Sequence, residues 1–204
     1  MQAVVRGQPS GSASPSPRYY RKLAGARCYL SPINVDDAGR YCEWLNDMEV
    51  ARTLTLASMN ISLGSERDAL ERLSRGHTYA IVLNESDEMI GNCGLIDVDH
   101  LARTCEIGLF IGNKEMWGKG YGPEAMELLM GYAFSYLNMR NIMLRVYAYN
   151  ERALAAYRRV GFREIGRRRK ALPREGAEHD VVLMDILDEE FASRSGYRGA
   201  AGFA

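Results

Sequence analysis

The residues with most to offer chemically sit between Glu106 and Tyr157. At the centre of this stretch, Trp117-Gly118-Lys119-Gly120-Tyr121-Gly122 follows an apolar run and leads through Pro123 and Glu124 into a helical pattern. Three glycines at alternate positions remove the Cβ atoms that hold a ligand off the backbone, and they permit turns with positive φ. Pro at the first helical position and Glu in the first turn are helix-start signals. Such a helix aims its unpaired N–H groups and the positive end of its dipole at whatever lies over the glycines. A phosphate or pyrophosphate suits that place. Spacing excludes two other phosphate loops. Lys119 is followed by Gly120 rather than by a hydroxyl that would hold Mg²⁺, and Pro123 stands where a dinucleotide fingerprint needs its last glycine. What remains is strand, Gly-x-Gly-x-Gly, helix, a spacing that a tight turn without a ligand shares.

Three side chains flank this loop in sequence. Asn150 stands where the next strand gives way to a helix, and Tyr157 lies seven residues on, two helical turns away, so both can face one groove. An Asn amide anchors a polar chain, and a Tyr hydroxyl donates a proton to a leaving group. Tyr157 alone also reads as a half-buried helix residue. Glu106 sits on the strand before the loop, where it reads either as a solvated carboxylate or as a base beside a substrate.

These residues need elements to hold them. Arg27 to Leu30 is a plausible strand, and Asn34 or Asp36 caps a helix with Val35, Ala38, Tyr41, Cys42 and Leu45 on one face. A second helix from Ser65 turns Ala69, Leu70 and Leu73 inward. Strands Thr78 to Leu83, Met89 to Val98 and Thr104 to Ile111 are joined by turns short enough to make them antiparallel neighbours. The last alternates Ile107, Leu109 and Ile111 against Glu106, Gly108 and Phe110. After the glycine loop, Met126, Leu129, Met130, Ala133, Phe134 and Leu137 give a long amphipathic helix ending near Asn138 to Arg140. The strand Ile142 to Ala148 must then run parallel to Thr104–Ile111. A helix Glu151–Val160 closes with Gly161 in the left-handed position, and strands Phe162 to Arg168 and Asp180 to Leu187 finish the core across a polar loop. The fold class is α/β in the α+β sense, with a mostly antiparallel sheet, one parallel join and flanking helices. The expected domain is 21–190, preceded by a Gly/Ser/Pro-rich leader at 1–20 and followed by a flexible tail at 191–204.

Composition narrows the class. Among 204 residues, 26 Lys and Arg balance 26 Asp and Glu, so no overall field recruits nucleic acid or an anionic membrane. No apolar run approaches the roughly 18 residues of a membrane span, and a cytoplasmic location is expected. Cys28, Cys42, Cys93 and Cys105 form no C-x-x-C pair and the three histidines are scattered, so neither a disulfide framework nor a metal site is expected.

The assembly Glu106-Ile107-Gly108-Leu109-Phe110-Ile111, the glycine loop, Asn150-Glu151-Arg152-Ala153, Tyr157 and Gly161-Phe162 resembles the GNAT N-acetyltransferase superfamily over about residues 27 to 188. It looks most like the branch of ribosomal-protein N-terminal and spermidine acetyltransferases. The resemblance implies acetyl-CoA as cosubstrate and no metal. It implies that Leu109, Phe110 and Ile111 pair with the pantetheine arm like an added strand, and that N–H groups of Trp117, Gly118, Lys119, Gly120, Tyr121 and Gly122 hold the pyrophosphate. It further implies that Asn150 contacts the pantetheine and that Tyr157 is the general acid; Glu106, on the strand that would flank the substrate, is the candidate base, directly or through a water. Trp117 departs from the pattern, where Gln or Arg is usual, so a rearranged phosphate contact is expected. The acceptor is an amine, most simply a peptide or protein α-amine. A polyamine, an aminoglycoside, or a module that binds acetyl-CoA without turnover are the alternatives, and self-association is left open. The basic run Arg167 to Lys170, if it borders the acceptor groove, disfavours a polycation.

Overall fold

The computed structural model describes residues 17–195, so most of the leader and tail expected from sequence lies outside the described residues. An eight-stranded sheet runs in the order β1-β2-β3-β4-β5-β6-β8-β7. Its strands are β1 Leu23–Ala24, β2 Cys28–Pro32, β3 His77–Leu83, β4 Met89–Asp99, β5 Thr104–Ile111, β6 Asn141–Tyr147, β7 Arg163–Arg174 and β8 Ala177–Leu187. The helices are α1 Ala38–Leu45, α2 Met48–Ala51, α3 Leu63–Leu73, α4 Tyr121–Ser135, α5 Glu151–Val160 and α6 Asp188–Ser195.

Alternation along the strands builds two cores. One side carries Leu30, Ile81, Ile90 and Ile107, over which α4 lays Ala125, Met126, Leu129, Met130 and Ala133. The opposite side carries Tyr29, Ala80, Val82 and Met89, covered by Tyr41 and Leu45 of α1 and Leu70 of α3. Each fully buried Leu or Met side chain contributes about 1.5–3 kcal/mol, so the α4 stripe is the main anchor of the helix that opens at the glycine loop.

Several sequence boundaries move. Leu73 is 38% exposed rather than inward, because α3 packs through Leu70 and the face bearing Leu73 borders a cavity. The α4 helix stops at Ser135, and Asn138 takes a φ of 56° while Met139 still packs inside. The final hairpin is longer than expected. β7 reaches Arg174 with pairs as far out as Arg174↔Ala177, and the turn shrinks to Glu175-Gly176. As the outermost strand, β7 tolerates Pro173 and carries no apolar alternation to announce it. Both ends of the packed region pass the 21–190 limits. Arg18 and Tyr19 bind Asp37, and Phe191 of α6 is buried.

Trp44 fixes the exit from β5. Its ring makes edge contacts with Tyr41 and Phe110, and a Cβ on Gly112 would lie 2.1 Å from its Cδ2 atom. Gly112→Ala should therefore cost about 2–3 kcal/mol, roughly 5–10 °C in Tm by thermal unfolding. Gly64→Ala is the control, since open space surrounds that position and a helix gains from the change. Equal melting temperatures for the two variants would contradict the packing.

Candidate active site

The site follows from where two strands part. β5 and β6 are parallel, as their helical connection requires, and they pair through Thr104↔Asn141, Cys105↔Ile142 and Glu106↔Met143. Beyond that register β5 stays with β4 out to Gly91↔Ile111, while β6 stays with β8 out to Tyr147↔Val181. Each strand keeps its outer neighbour and loses the inner one. The backbone of Ile107 to Ile111 thus has an edge without a strand partner, and an extended chain with amide groups fits such an edge as a strand would. A cavity of about 1020 Å³ opens there.

The glycine loop closes one end of the split. Gly118 and Gly120 are left-handed at φ 73° and 86°, and Gly120 caps α4. Gly122 differs: it is already helical, with Leu109 at an ordinary 3.5 Å from where a Cβ would stand. Pro123 is the third helical residue, not the first. The N–H groups of Gly118, Lys119, Gly120, Tyr121 and Gly122 meet no acceptor among the described residues. A fan of free donors at a helix N-terminus is an anion site.

Arg27, on the approach to β2, secures this loop from behind, a role the sequence reading did not assign. Its Nη1 donates to the Lys119 carbonyl at 2.8 Å, its guanidinium lies over the Tyr121 ring, and its Nε donates to Glu124 at 2.9 Å. Burial alone would raise the Glu124 carboxyl, but hydrogen bonds from the Arg27 and Cys28 backbone and the Arg27 side chain hold it below the usual carboxylate range. Glu124 serves the loop's anchor and not the helix dipole. Lys119 contributes its backbone, and its side chain stays outside the main cavity.

Trp117 has its own task. Its indole N–H donates to the Ile111 carbonyl at 2.7 Å, tying the loop to the end of β5, and the Arg152 guanidinium lies 3.8 Å over its ring. A cation thus arrives at the head of the loop from α5, where sequence spacing gave no signal for it.

Asn150 caps α5 as expected. Its Oδ1 accepts from Ala153 N–H at 3.2 Å, which leaves the Nδ2 donors for the cavity. Tyr157, two turns along, is half-buried, packs against Phe162 and lines the same cavity. Burial pushes its hydroxyl up to about 12, so it is protonated at neutral pH. Glu106 is brought to the split as well. There Arg145 Nε donates to its Oε1 at 2.8 Å, which also raises the Arg145 guanidinium above its ordinary value. Leu109, Phe110 and Ile111 line the cavity with them.

The other end of the cavity lies under α1 and α3, bordered by Thr53, Leu54, Thr55 and Leu56. The tip of the β7–β8 hairpin clasps this segment. Arg174 donates to the Arg52 and Leu54 carbonyls and to Tyr149 Oη, and Tyr149 donates to the Arg52 carbonyl. Of the basic run, Arg167 pairs with Glu164 and Lys170 with Glu178, while Arg168 lines the cavity. No helix among the described residues is long and apolar enough to cross a membrane. No group of His, Cys, Asp or Glu among them is placed to hold a metal.

A split parallel pair above a loop of free N–H groups, with a protonated tyrosine lining the same cavity, can hold an anionic ligand whose extended arm pairs as a strand would. Residues 27–163 match the family model described as the acetyltransferase (GNAT) domain, and the chain belongs to that family as an acetyl-CoA-dependent N-acetyltransferase. An uncharacterized N-acetyltransferase of Bacillus licheniformis is 27% identical over 172 residues, 81% of this chain and 96% of that one. A spermidine N(1)-acetyltransferase of Vibrio cholerae is 29% identical over 134 residues, 63% of this chain and 77% of the relative. In fold, the chain is similar to Mycobacterium smegmatis RimJ in complex with CoA-disulfide, with a TM-score of 0.68, 21% identity, and coverage of 83% and 90%.

Proposed function

We propose that the acceptor is the α-amine of a peptide or protein, acetylated in the cytoplasm. The observation that carries this is the charge at the acceptor end. Glu106 is neutralised by Arg145, while Arg168 lines the same cavity and forms no ion pair among the described residues. Beside Arg168 a polycation meets repulsion and an acidic side chain does not, while the cavity's other carboxylate, Glu66, stands apart on α3. The second reading, a polyamine acceptor, draws on the likeness to the Vibrio cholerae spermidine enzyme.

Transfer in this reading needs four contributions from the chain. Free backbone donors along β5 near Leu109 polarise the thioester carbonyl. The loop N–H groups, with Arg152 beside Trp117, hold the pyrophosphate, and the Asn150 amide steadies the pantetheine. Glu106, through its free Oε2 and a water, takes the proton of the attacking amine. Tyr157 hands its proton to the departing sulfur.

The test is acetyl-CoA-dependent thiol release across N-terminal peptides with acidic or neutral second residues, polyamines and aminoglycosides, with Glu106→Gln beside the parent. Peptides should turn over best, acidic ones ahead, and Glu106→Gln should lose about 10–100-fold in kcat. A preference for spermidine would overturn the peptide reading, and tight acetyl-CoA binding without thiol release from any amine would favour a module that does not turn over.

A further inference from the structure

Three polar side chains are buried among the described residues: Ser31, Asp37 and Glu66. Ser31 binds the Tyr20 N–H, and Asp37 binds Arg18 and Tyr19. Glu66, 6% exposed, has neither an ion pair nor a side-chain hydrogen bond among the described residues. Its carboxylate oxygens are not among the fully enclosed polar atoms, so a largely buried side chain opens its charged end onto the cavity, where a cation can complete it. The α3 N-terminus does not do so, because its cap is closed on itself by the reciprocal Ser62 and Ser65 bonds. Arg72, further along the same helix, is exposed and beyond ion-pair distance.

A second side chain of the same lining carries a polar atom without a partner. The Tyr41 hydroxyl, on a side chain 1% exposed, has no hydrogen-bond partner; Asn92 is close enough to influence it but not bonded to it. The charge of Glu66 is felt at this hydroxyl and at Cys42. Both line the cavity, on the side where β5 presents Phe110 and Gly108. The missing Gly108 side chain leaves this passage clear, since a Cβ there would meet Ile96 Cδ1 alone, at 3.5 Å.

We propose that Glu66, with Tyr41 in the same lining, is the binding point for an alkylammonium group of the acceptor. The charge favours a cation, and the cavity joins it to the split strands. The proposal deepens the reading of this cavity as an amine site and rests on it. The ammonium is either the reacting amine before it loses its proton or a second amine on the same acceptor.

The experiment is calorimetric titration of the CoA-saturated protein, in which no transfer occurs. The probes are a pentapeptide whose single amine is its N-terminus, its N-acetyl form, the N-acetyl form with an added Lys, and spermidine and n-butylammonium. The parent should bind at least one ammonium-bearing probe at least about tenfold more tightly than its neutral counterpart, and Glu66→Gln should erase that difference while raising Tm, because the isosteric amide removes a buried charge. Tyr41→Phe should weaken the same probe a few-fold. Preference for the free N-terminus identifies the reacting amine, and preference for the Lys form identifies a second one. Retained discrimination in folded Glu66→Gln, or no ammonium binding by the parent, overturns the proposal. Thiol release separates the two readings: turnover on peptides that ignores Glu66→Gln removes Glu66 and leaves the peptide acceptor standing. Turnover confined to spermidine and lost in Glu66→Gln does the reverse.

Discussion

Tyr157→Phe should lower kcat by about 10²–10³-fold while leaving acetyl-CoA affinity within about twofold. The expectation rests on which interaction the hydroxyl makes and when. It has no hydrogen bond among the described residues, so its removal leaves no orphan, and the ring keeps its contact with Phe162. Ground-state binding and melting temperature should therefore hold. Proton delivery to the leaving sulfur belongs to the transition state, and loss of an interaction made there appears in kcat. The pH dependence carries the sign. An acid must be protonated to act, and burial has pushed Tyr157 up to about 12, so the parent should show no alkaline fall in kcat from this group below about pH 10. Steady-state kinetics from pH 6 to 10 for both proteins, with calorimetry for acetyl-CoA, check it. A kcat within fivefold of the parent would assign the proton to water.

Much of this site was legible in the chain because its signals are local. The left-handed Gly161 and the Asn150 cap follow from residue type at a helix end, and the parallel β5–β6 join follows from a helix too long for any hairpin. Apolar alternation in β5 put Ile107, Leu109 and Ile111 on one face, and that face meets the core that α4 covers. What escaped depends on partners far apart in sequence. Arg27 reaches Lys119 and Glu124 across more than ninety residues, and Arg174 reaches Leu54 across 120. A lone arginine carries no pattern that names its partner. Glu66 was hidden for the opposite reason: in a run rich in charge it reads as a solvated helix residue, and only the packing of α1 against α3 shows that most of its surface is covered. Gly112, too, had a visible identity but an invisible cause, the Trp44 ring.

The glycine loop yields the second large effect. Sequence presents three equivalent glycines, whereas the backbone ranks them. Gly120 is left-handed at φ 86°, and a Cβ there would also stand 3.2 Å from Arg27 Nη2. Alanine at 120 must accept roughly 1–2 kcal/mol of left-handed strain or turn the peptide over, and turning it over redirects the N–H groups on either side. It also crowds the guanidinium that holds the Lys119 carbonyl and Glu124, so the loop loses its shape and its anchor together. Acetyl-CoA binding should weaken by about 10–100-fold. Gly118→Ala shares the strain at φ 73° but meets open space, so it should lose less, on the order of tenfold. Gly122→Ala, already helical and in ordinary contact with Leu109, should stay within about threefold. Calorimetric titration of acetyl-CoA into the three variants tests the order 120, then 118, then 122. Equal losses at all three positions would mean that side-chain cations hold the phosphates. The graded series is the signature of recognition by a backbone whose shape two left-handed residues set.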